Sequence, residues 1–321
     1  MSTDSREGAQ PLEGLGLVGG SPSMPIGAEL GIGALDGPKP RSQWQLFRSR
    51  FLKHRLAVFS LVLLILLIFA CFAANLVAPF PANQQDLAVG AVGPNAHHWL
   101  GTDELGRDML SEILYAGRTS LRIGLTVAFL STLLGTVVGA ISGYFGKWAD
   151  QGLMRLTDLF LVIPQLVVLA IAIQGFGSTQ VVIALSLAAL FWMGEARVVR
   201  GQVLALRERE FVEAARSIGA SPMRVVFRHI IPNCLGPILV GATLGVAGAI
   251  LTESALSYLG FGVQLPATSW GNLLSSARGY VGTPQAYLIY FPGLMILITV
   301  LAVNFLGDGL RDALDPYGSN G

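Results

Sequence analysis

Residues 207–233 read REREFVEAARSIGASPMRVVFRHIIPN, a polar stretch set between two long apolar runs. Around Glu213, the apolar Phe211, Ala214, Ala215 and Ile218 recur at helical spacing and share one face. Arg209, Glu213 and Arg216, four and three residues apart, fall on another face, where opposite charges pair. Gly219 supplies a residue free to take the positive φ that suits a helix C-terminus. Ser221 and Pro222 have the form of an N-cap and the first position of a new helix, which Pro232 would close. The expectation is a short amphipathic helix, a sharp turn, and a second helix leading back into an apolar run. So short a segment has no core of its own, and its apolar face requires a partner. That partner is another protein or, in the interfacial reading, a layer of lipid headgroups.

The flanking runs are membrane spans by composition and length. Charged residues make up 13% of the 321-residue chain, against a usual share of about 25%. Too few charges remain to cover a water-soluble surface, and the mean hydropathy is +0.60. Apolar segments lie at 56–78, 123–145, 157–175, 178–197, 236–260 and 286–307. The first, about 35 Å long as a helix, crosses a hydrocarbon core of about 30 Å. It is also too long for a signal-peptide core of roughly 7–15 residues. Pro164 and Gln165 interrupt the third, which membrane helices tolerate. Arg48, Arg50, Lys53, His54 and Arg55 precede the first run, and such a basic flank stays in the cytoplasm. Six crossings then put both termini inside. On this topology 17 of the 21 Lys and Arg residues are cytoplasmic, leaving only Arg107, Arg118, Arg122 and Arg278 outside. The expected fold is therefore an all-α polytopic membrane protein with six transmembrane helices and cytoplasmic termini. The 207–233 stretch is cytoplasmic in this scheme, and 79–118 and 261–285 are extracytoplasmic.

A net charge of +1 and a pI near 7.8 exclude a basic nucleic-acid-binding surface. Residues 1–40 hold nine glycines and five prolines without apolar periodicity, the composition of a disordered cytoplasmic tail. Cys71 and Cys234 form neither a disulfide framework nor a metal site and read as packing residues. No lysine stands in a GxxxxGK[ST] cradle, and a GxSxG elbow and an HExxH helix are both absent. The chain thus carries no catalytic residue and no cofactor of its own. Asp103, Glu104 and Asp108 lack the spacing of a calcium loop, and a turn with Arg107 paired locally accounts for them. Polar residues inside spans are functional suspects: Glu253, Asn304, Asp308, Gln165 and Glu195. Glu195 and Asp308 fall near cytoplasmic ends, where solvation or arginine pairing suits them. Glu253 and Asn304 are candidates to line a path, with a packing hydrogen bond equally open for Glu253. Gly135, Gly139 and Gly143, then Gly241, Gly245 and Gly248, are small residues at helical spacing that permit close helix contact.

Glu213-Ala214-Ala215, three residues, Gly219, and then Pro232 resemble the cytoplasmic loop signature of permease subunits of binding-protein-dependent ABC importers. The ending Arg228-His229-Ile230-Ile231-Pro232-Asn233 resembles the peptide and nickel branch. Gly101-Thr102-Asp103-Glu104-Leu105-Gly106-Arg107-Asp108, Leu256 to Gly262, and Trp270-Gly271 resemble its dipeptide and oligopeptide C-type subunits. The resemblance covers about residues 44–318. It implies a permease fold with a cytoplasmic coupling helix, in which Phe211, Glu213, Ala214, Ala215, Ile218, Gly219, Ala220 and Pro232 form the ATPase-coupling loop. It also implies a homologous second permease subunit, two ATP-binding subunits that hold ATP and Mg, and an extracytoplasmic substrate-binding protein. The cargo expected is a di- or oligopeptide, with nickel or another small solute as the alternative. The location implied is the bacterial cytoplasmic membrane. A secondary transporter is the rival class, but its midplane ion sites and internal repeats are not seen. The chain divides on this reading into the 1–40 tail, a 41–118 region with the first span, and a 119–318 five-helix permease domain.

Overall fold

The computed structural model describes residues 43–314. The 1–40 tail expected to be disordered, and residues 315–318 of the permease domain, lie outside them. The described chain is all-helical, without strands; Thr102 and Asp108 make one isolated bridge. In order, the helices are α1 (Gln43–Lys53), α2 (Arg55–Phe72), α3 (Ala74–Val77), α4 (Met109–Phe145), α5 (Lys147–Val162), α6 (Gln165–Phe176) and α7 (Gln180–Leu206). There follow α8 (Glu210–Ser217), α9 (Pro222–Val225), α10 (Leu235–Tyr258), α11 (Trp270–Ala277) and α12 (Tyr287–Leu314).

Among the described residues, five helices are long and apolar enough to cross a membrane: α2, α4, α7, α12 and a continuous helix from Pro222 to Tyr258. The third expected span, 157–175, is not one helix. Its residues divide between α5 and α6, which bend by 87° and make a sixth span only if the pair counts as one. The break falls where the sequence placed Pro164. Proline has no N–H to continue the helix and pushes its predecessor into extended backbone, and Ile163 sits at φ −80°, ψ 133°.

Side-chain caps set the helix starts. Asp108 accepts from Ser111 N at the head of α4, Thr179 from Val182 N at α7, and Ser269 from Asn272 N at α11. A core at one end of the bundle gathers Ile113, Leu121, Ile250 and the fully buried Trp270, whose indole N–H donates to Ile113 O at 3.0 Å. A second core, in the middle, joins Ile123, Leu169, Leu187 and Met193.

The tightest contact is between α4 and α7, and the glycines of α4 make it. A Cβ on Gly135 would stand 2.6 Å from Glu195 Cβ and 2.8 Å from Trp192 O. One on Gly139 would stand 2.9 Å from Val199 Cβ, and one on Gly143 2.9 Å from Arg200 O. At each of these positions even a methyl group would force the helices apart. The expectation of close helix contact therefore holds along α4. On α10 it holds at Gly248, where a Cβ would stand 3.1 Å from the Phe191 ring. The space at Gly241 is taken by the Glu195 carboxylate, and Gly245 has ordinary clearance, with Ala128 3.7 Å away. Overpacking of this kind typically costs about 1–3 kcal/mol. Gly139→Val should lower the thermal unfolding midpoint of the purified protein by on the order of 5 °C, read by scanning fluorimetry in detergent. Gly194→Val on α7, where a side chain meets open space, should leave the midpoint in place.

Candidate functional site

The 207–233 segment forms an elbow at one end of the bundle. α8 starts after Arg209, and Glu210 and Glu213 in its first turn complement the positive helix N-terminus. It stops at Gly219, whose φ is +81°. Gly219 N–H donates to Arg216 O at 2.9 Å and Ala220 N–H to Ala215 O at 3.1 Å, the paired bonds of a glycine-terminated helix end. Ser221 and Pro222 then open α9, as the sequence suggested, although the Ser221 side chain makes no cap hydrogen bond.

Pro232 does not close this second helix. The chain loosens into a π turn over Val226–Ile230 and a 3-10 turn over Ile231–Cys234, then continues as α10. Ile231 N–H reaches back five residues to Val226 O, and the Asn233 amide donates to His229 O at 2.6 Å. Wider and tighter turns in succession thus carry the helix past a residue with no N–H.

The apolar face expected from Phe211, Ala214, Ala215 and Ile218 divides. Ala215 turns inward with Val212, and both pack with Val225, Val226, Ile230 and Cys234 against Ala140 of α4 and Val199 and Val203 of α7. Phe211, Ala214 and Ile218 face away from the bundle; Ile218 is 86% exposed, and Met223 and Phe227 beside it are also exposed. Val212, missed in the sequence reading, is the inward anchor, and its three-residue spacing to Ala215 was the available signal. The expected charge pairing on α8 is absent: among the described residues Glu213 makes no ion pair. Arg216 instead lies over the Tyr144 ring at 5.1 Å, a cation–π contact.

Arginines fasten the elbow to the bundle. Arg207 donates through Nη1 to Gly143 O at 3.0 Å, capping the end of α4, and through Nε to Glu208 at 2.8 Å. Arg200 forms a two-pronged pair with Asp150 at the start of α5, its Nη2 2.6 Å from Oδ2. Ser142 of α4 donates to the same carboxylate. Arg197 pairs with Asp158, further along α5. The elbow therefore rests on the ends of α4 and α7, with α5 bolted across them.

The intramembrane candidates scatter. Glu253 is wholly buried, its carboxylate accepting from Ser257 Oγ at 2.6 Å and Ser120 Oγ at 3.3 Å, a packing position between α4 and α10. Asn304 is half-buried on α12 and makes no hydrogen bond among the described residues. Asp308 is exposed. Glu195 is half-buried and makes no ion pair among the described residues, so the arginine pairing considered for it is not seen. Gly135 of α4 and Gly241 of α10 leave room for its side chain, and its Oε1 is buried without a partner among the described residues.

At the end opposite the elbow, the Gly101–Asp108 run is a locally paired turn. Arg107 donates to Asp103 through Nε at 2.7 Å, and Asp103 also accepts from Leu105 N and Arg107 N. Tyr287 reaches across from α12, its hydroxyl 2.7 Å from Thr102 O. The Glu104 carboxylate beside Tyr280 favours the protonated phenol and pushes it up to about 12.

With this geometry in place, similarity to known proteins assigns the chain. Residues 135–317 match the family described as binding-protein-dependent transport system inner membrane component, and residues 42–94 match the N-terminal TM domain of oligopeptide transport permease C. The chain belongs to this permease family. A putative peptide permease protein of Brucella suis is 44% identical over 290 residues, covering 89% of this chain and 93% of its own. The oligopeptide transport system permease proteins of Haemophilus influenzae and Mycobacterium tuberculosis are each 40% identical. They cover 86% of this chain and 89% and 95% of their own lengths. Among solved structures, the inward-facing MetNI methionine ABC transporter shares the fold, with a TM-score of 0.50 at 20% identity. The match covers 64% of this chain and 98% of that one. The chain is thus a multi-pass permease of the oligopeptide permease C type, and its elbow is the stretch that carried the family signature.

Gly219 is the joint of this permease elbow. A branched side chain in left-handed backbone is disfavoured by roughly 1–2 kcal/mol. Gly219→Val should therefore raise amide exchange across residues 210–226 about tenfold in hydrogen-exchange mass spectrometry. Gly201→Val, on the open side of α7, should leave it unchanged.

Proposed function

We propose that this chain is the membrane permease subunit of an ATP-driven importer for di- or oligopeptides in the bacterial cytoplasmic membrane. It forms part of the translocation path, and separate ATPase subunits drive it. One observation carries the reading: an elbow packed firmly on one side and bare on the other. Val212, Ala215, Val225 and Val226 fix it to the bundle, while Phe211, Ile218, Met223 and Phe227 hold apolar surface in the open. An exposed apolar patch on a rigid mount is what a docking partner requires. The names of the relatives support peptides as cargo.

In this reading the elbow is cytoplasmic, both termini are cytoplasmic, and the α5–α6 pair counts as the third of six spans. The charge distribution supports that side, because the elbow and its anchors carry Arg197, Arg200, Arg207, Arg209, Arg216, Arg224 and Arg228. The coupling loop is then Phe211, Glu213, Ala214, Ala215, Ile218, Gly219 and Ala220, with Pro232 as the adaptable point behind it. Of these, Phe211, Ala214 and Ile218 make contact and Ala215 anchors. The 41–118 region supplies the first span and the extracytoplasmic loop, and 119–318 supplies the permease domain. Partners are a homologous second permease subunit, two ATP-binding subunits that hold ATP and Mg, and an extracytoplasmic substrate-binding protein. This chain catalyses nothing.

Binding by the ATPases drives transport only if their closed and open states differ in free energy of interaction with two permease arrangements. The elbow transmits that difference as a lever. Phe211→Asp combined with Ile218→Asp should reduce ATP-driven peptide uptake by at least about tenfold, since each puts a charge into a desolvated contact. Membrane insertion and thermal stability should stay as in the parent, because both positions are exposed. Full uptake by the double variant, or crosslinks from position 218 that reach only lipid, would refute the docking role.

A further inference from the structure

Arg122 is a cation without a countercharge at the edge of a membrane helix. It is exposed and makes no ion pair among the described residues, its guanidinium lying 5.5 Å from the centre of the Phe72 ring. Its neighbour Arg118 is occupied, donating to Phe72 O at 2.9 Å and Asn75 Oδ1 at 3.2 Å. Two boundaries coincide around Arg122: the apolar run of α4 begins at Ile123, and α7 begins at Gln180. In the six-span reading, Arg122 stands at the outer edge of the hydrocarbon on this face. From that level a cleft of about 240 Å³ runs between α4 and α7. Arg122, Thr126 and Gln180 supply its polar groups, and Val181, Ala184 and Leu185 its apolar wall.

We propose that this cleft binds an anionic phospholipid, with the phosphate on Arg122 and an acyl chain along the Val181–Leu185 wall. A guanidinium presents paired N–H donors matched to phosphate oxygens. A soluble anion gains nothing from the apolar wall, and a zwitterionic headgroup leaves the cation without net compensation. An anionic lipid satisfies both ends at once, as basic pockets between membrane helices do. The proposal stands on the membrane reading of the chain alone, so it is independent of cargo and of the elbow's partner.

The test uses the assembled transporter in mild detergent, titrated with dioleoyl phosphatidylglycerol or dioleoyl phosphatidylcholine and read by native mass spectrometry. One phosphatidylglycerol should be held in preference to phosphatidylcholine. Arg122→Gln should weaken it about fivefold, whereas Arg122→Lys should retain most of the preference. Arg278→Gln, which removes an exposed cation outside the spans, should change nothing. Equal retention of the two lipids, an unaltered affinity in Arg122→Gln, or equal losses in the Arg122 and Arg278 variants would each overturn the site. Displacement by millimolar inorganic phosphate would reassign it to a soluble anion. A crosslink from position 122 to an acidic residue of a companion subunit would reassign it to protein.

Discussion

The structure depends on the approach of α4 to α7. In hydrocarbon, apolar side chains gain nothing by leaving lipid for one another, so helix association rests on close packing and hydrogen bonds. Gly135, Gly139 and Gly143 remove side chains along one edge of α4, which lets the backbone of α7 at Trp192, Ala196 and Arg200 lie against it. The stripe continues to the end of the bundle, where Gly143 O receives Arg207 and Tyr144 receives Arg216. The last turn of the contact that joins the two helices is therefore also the base of the elbow. A loosening between α4 and α7 would blur the position of α8 directly.

What the sequence revealed, and what it concealed, follows from the same physics. A bilayer demands long apolar segments with all backbone bonds made internally, and that demand writes five unbroken spans into composition. It does not decide between a kinked and a broken helix at proline. Pro164 broke its helix, whereas Pro232, with the same chemistry, was absorbed by π and 3-10 turns. The difference lies in what surrounds each. Val226, Ile230 and Cys234 are buried against α4 and α7 and hold the second helix on course, while Ile163 and Pro164 are exposed.

The elbow was legible as an amphipathic turn but not in its orientation. An eight-residue helix with Phe211, Val212, Ala214 and Ala215 has two apolar sides. Periodicity chooses neither, because the choice is made by Val199 and Val203, distant in sequence. Glu195 shows the same limit. Its place near the end of an apolar run suggested solvent or an arginine, but the absent side chains of Gly135 and Gly241 open a niche that half buries it. Which residues a glycine admits is a property of the neighbouring helix, and single-chain spacing is blind to it.

These features together make the Pro222–Tyr258 helix the mechanical axis of the molecule. At 37 residues it is about 55 Å long. One end is seated in the elbow through Val225, Val226 and Ile230. Near its other end, Glu253 receives Ser120 of α4, and Ser120 also receives Trp270 N of α11. A displacement of the elbow that the helix does not absorb by bending must appear at this buried hydrogen-bonded group. The π and 3-10 turns around Pro232 are the places where bending is easiest, because their hydrogen bonds are already irregular. Midway, the half-buried Glu195 side chain fills the space beside Gly241, its Oε1 without a partner among the described residues. Any sliding of α10 along α7 would have to displace this side chain, so the packing of Glu195 ties the two helices together. A side chain wedged between the glycine-bared faces of α4 and α10 resists gradual deformation there, because a close-packed contact transmits strain rather than absorbing it.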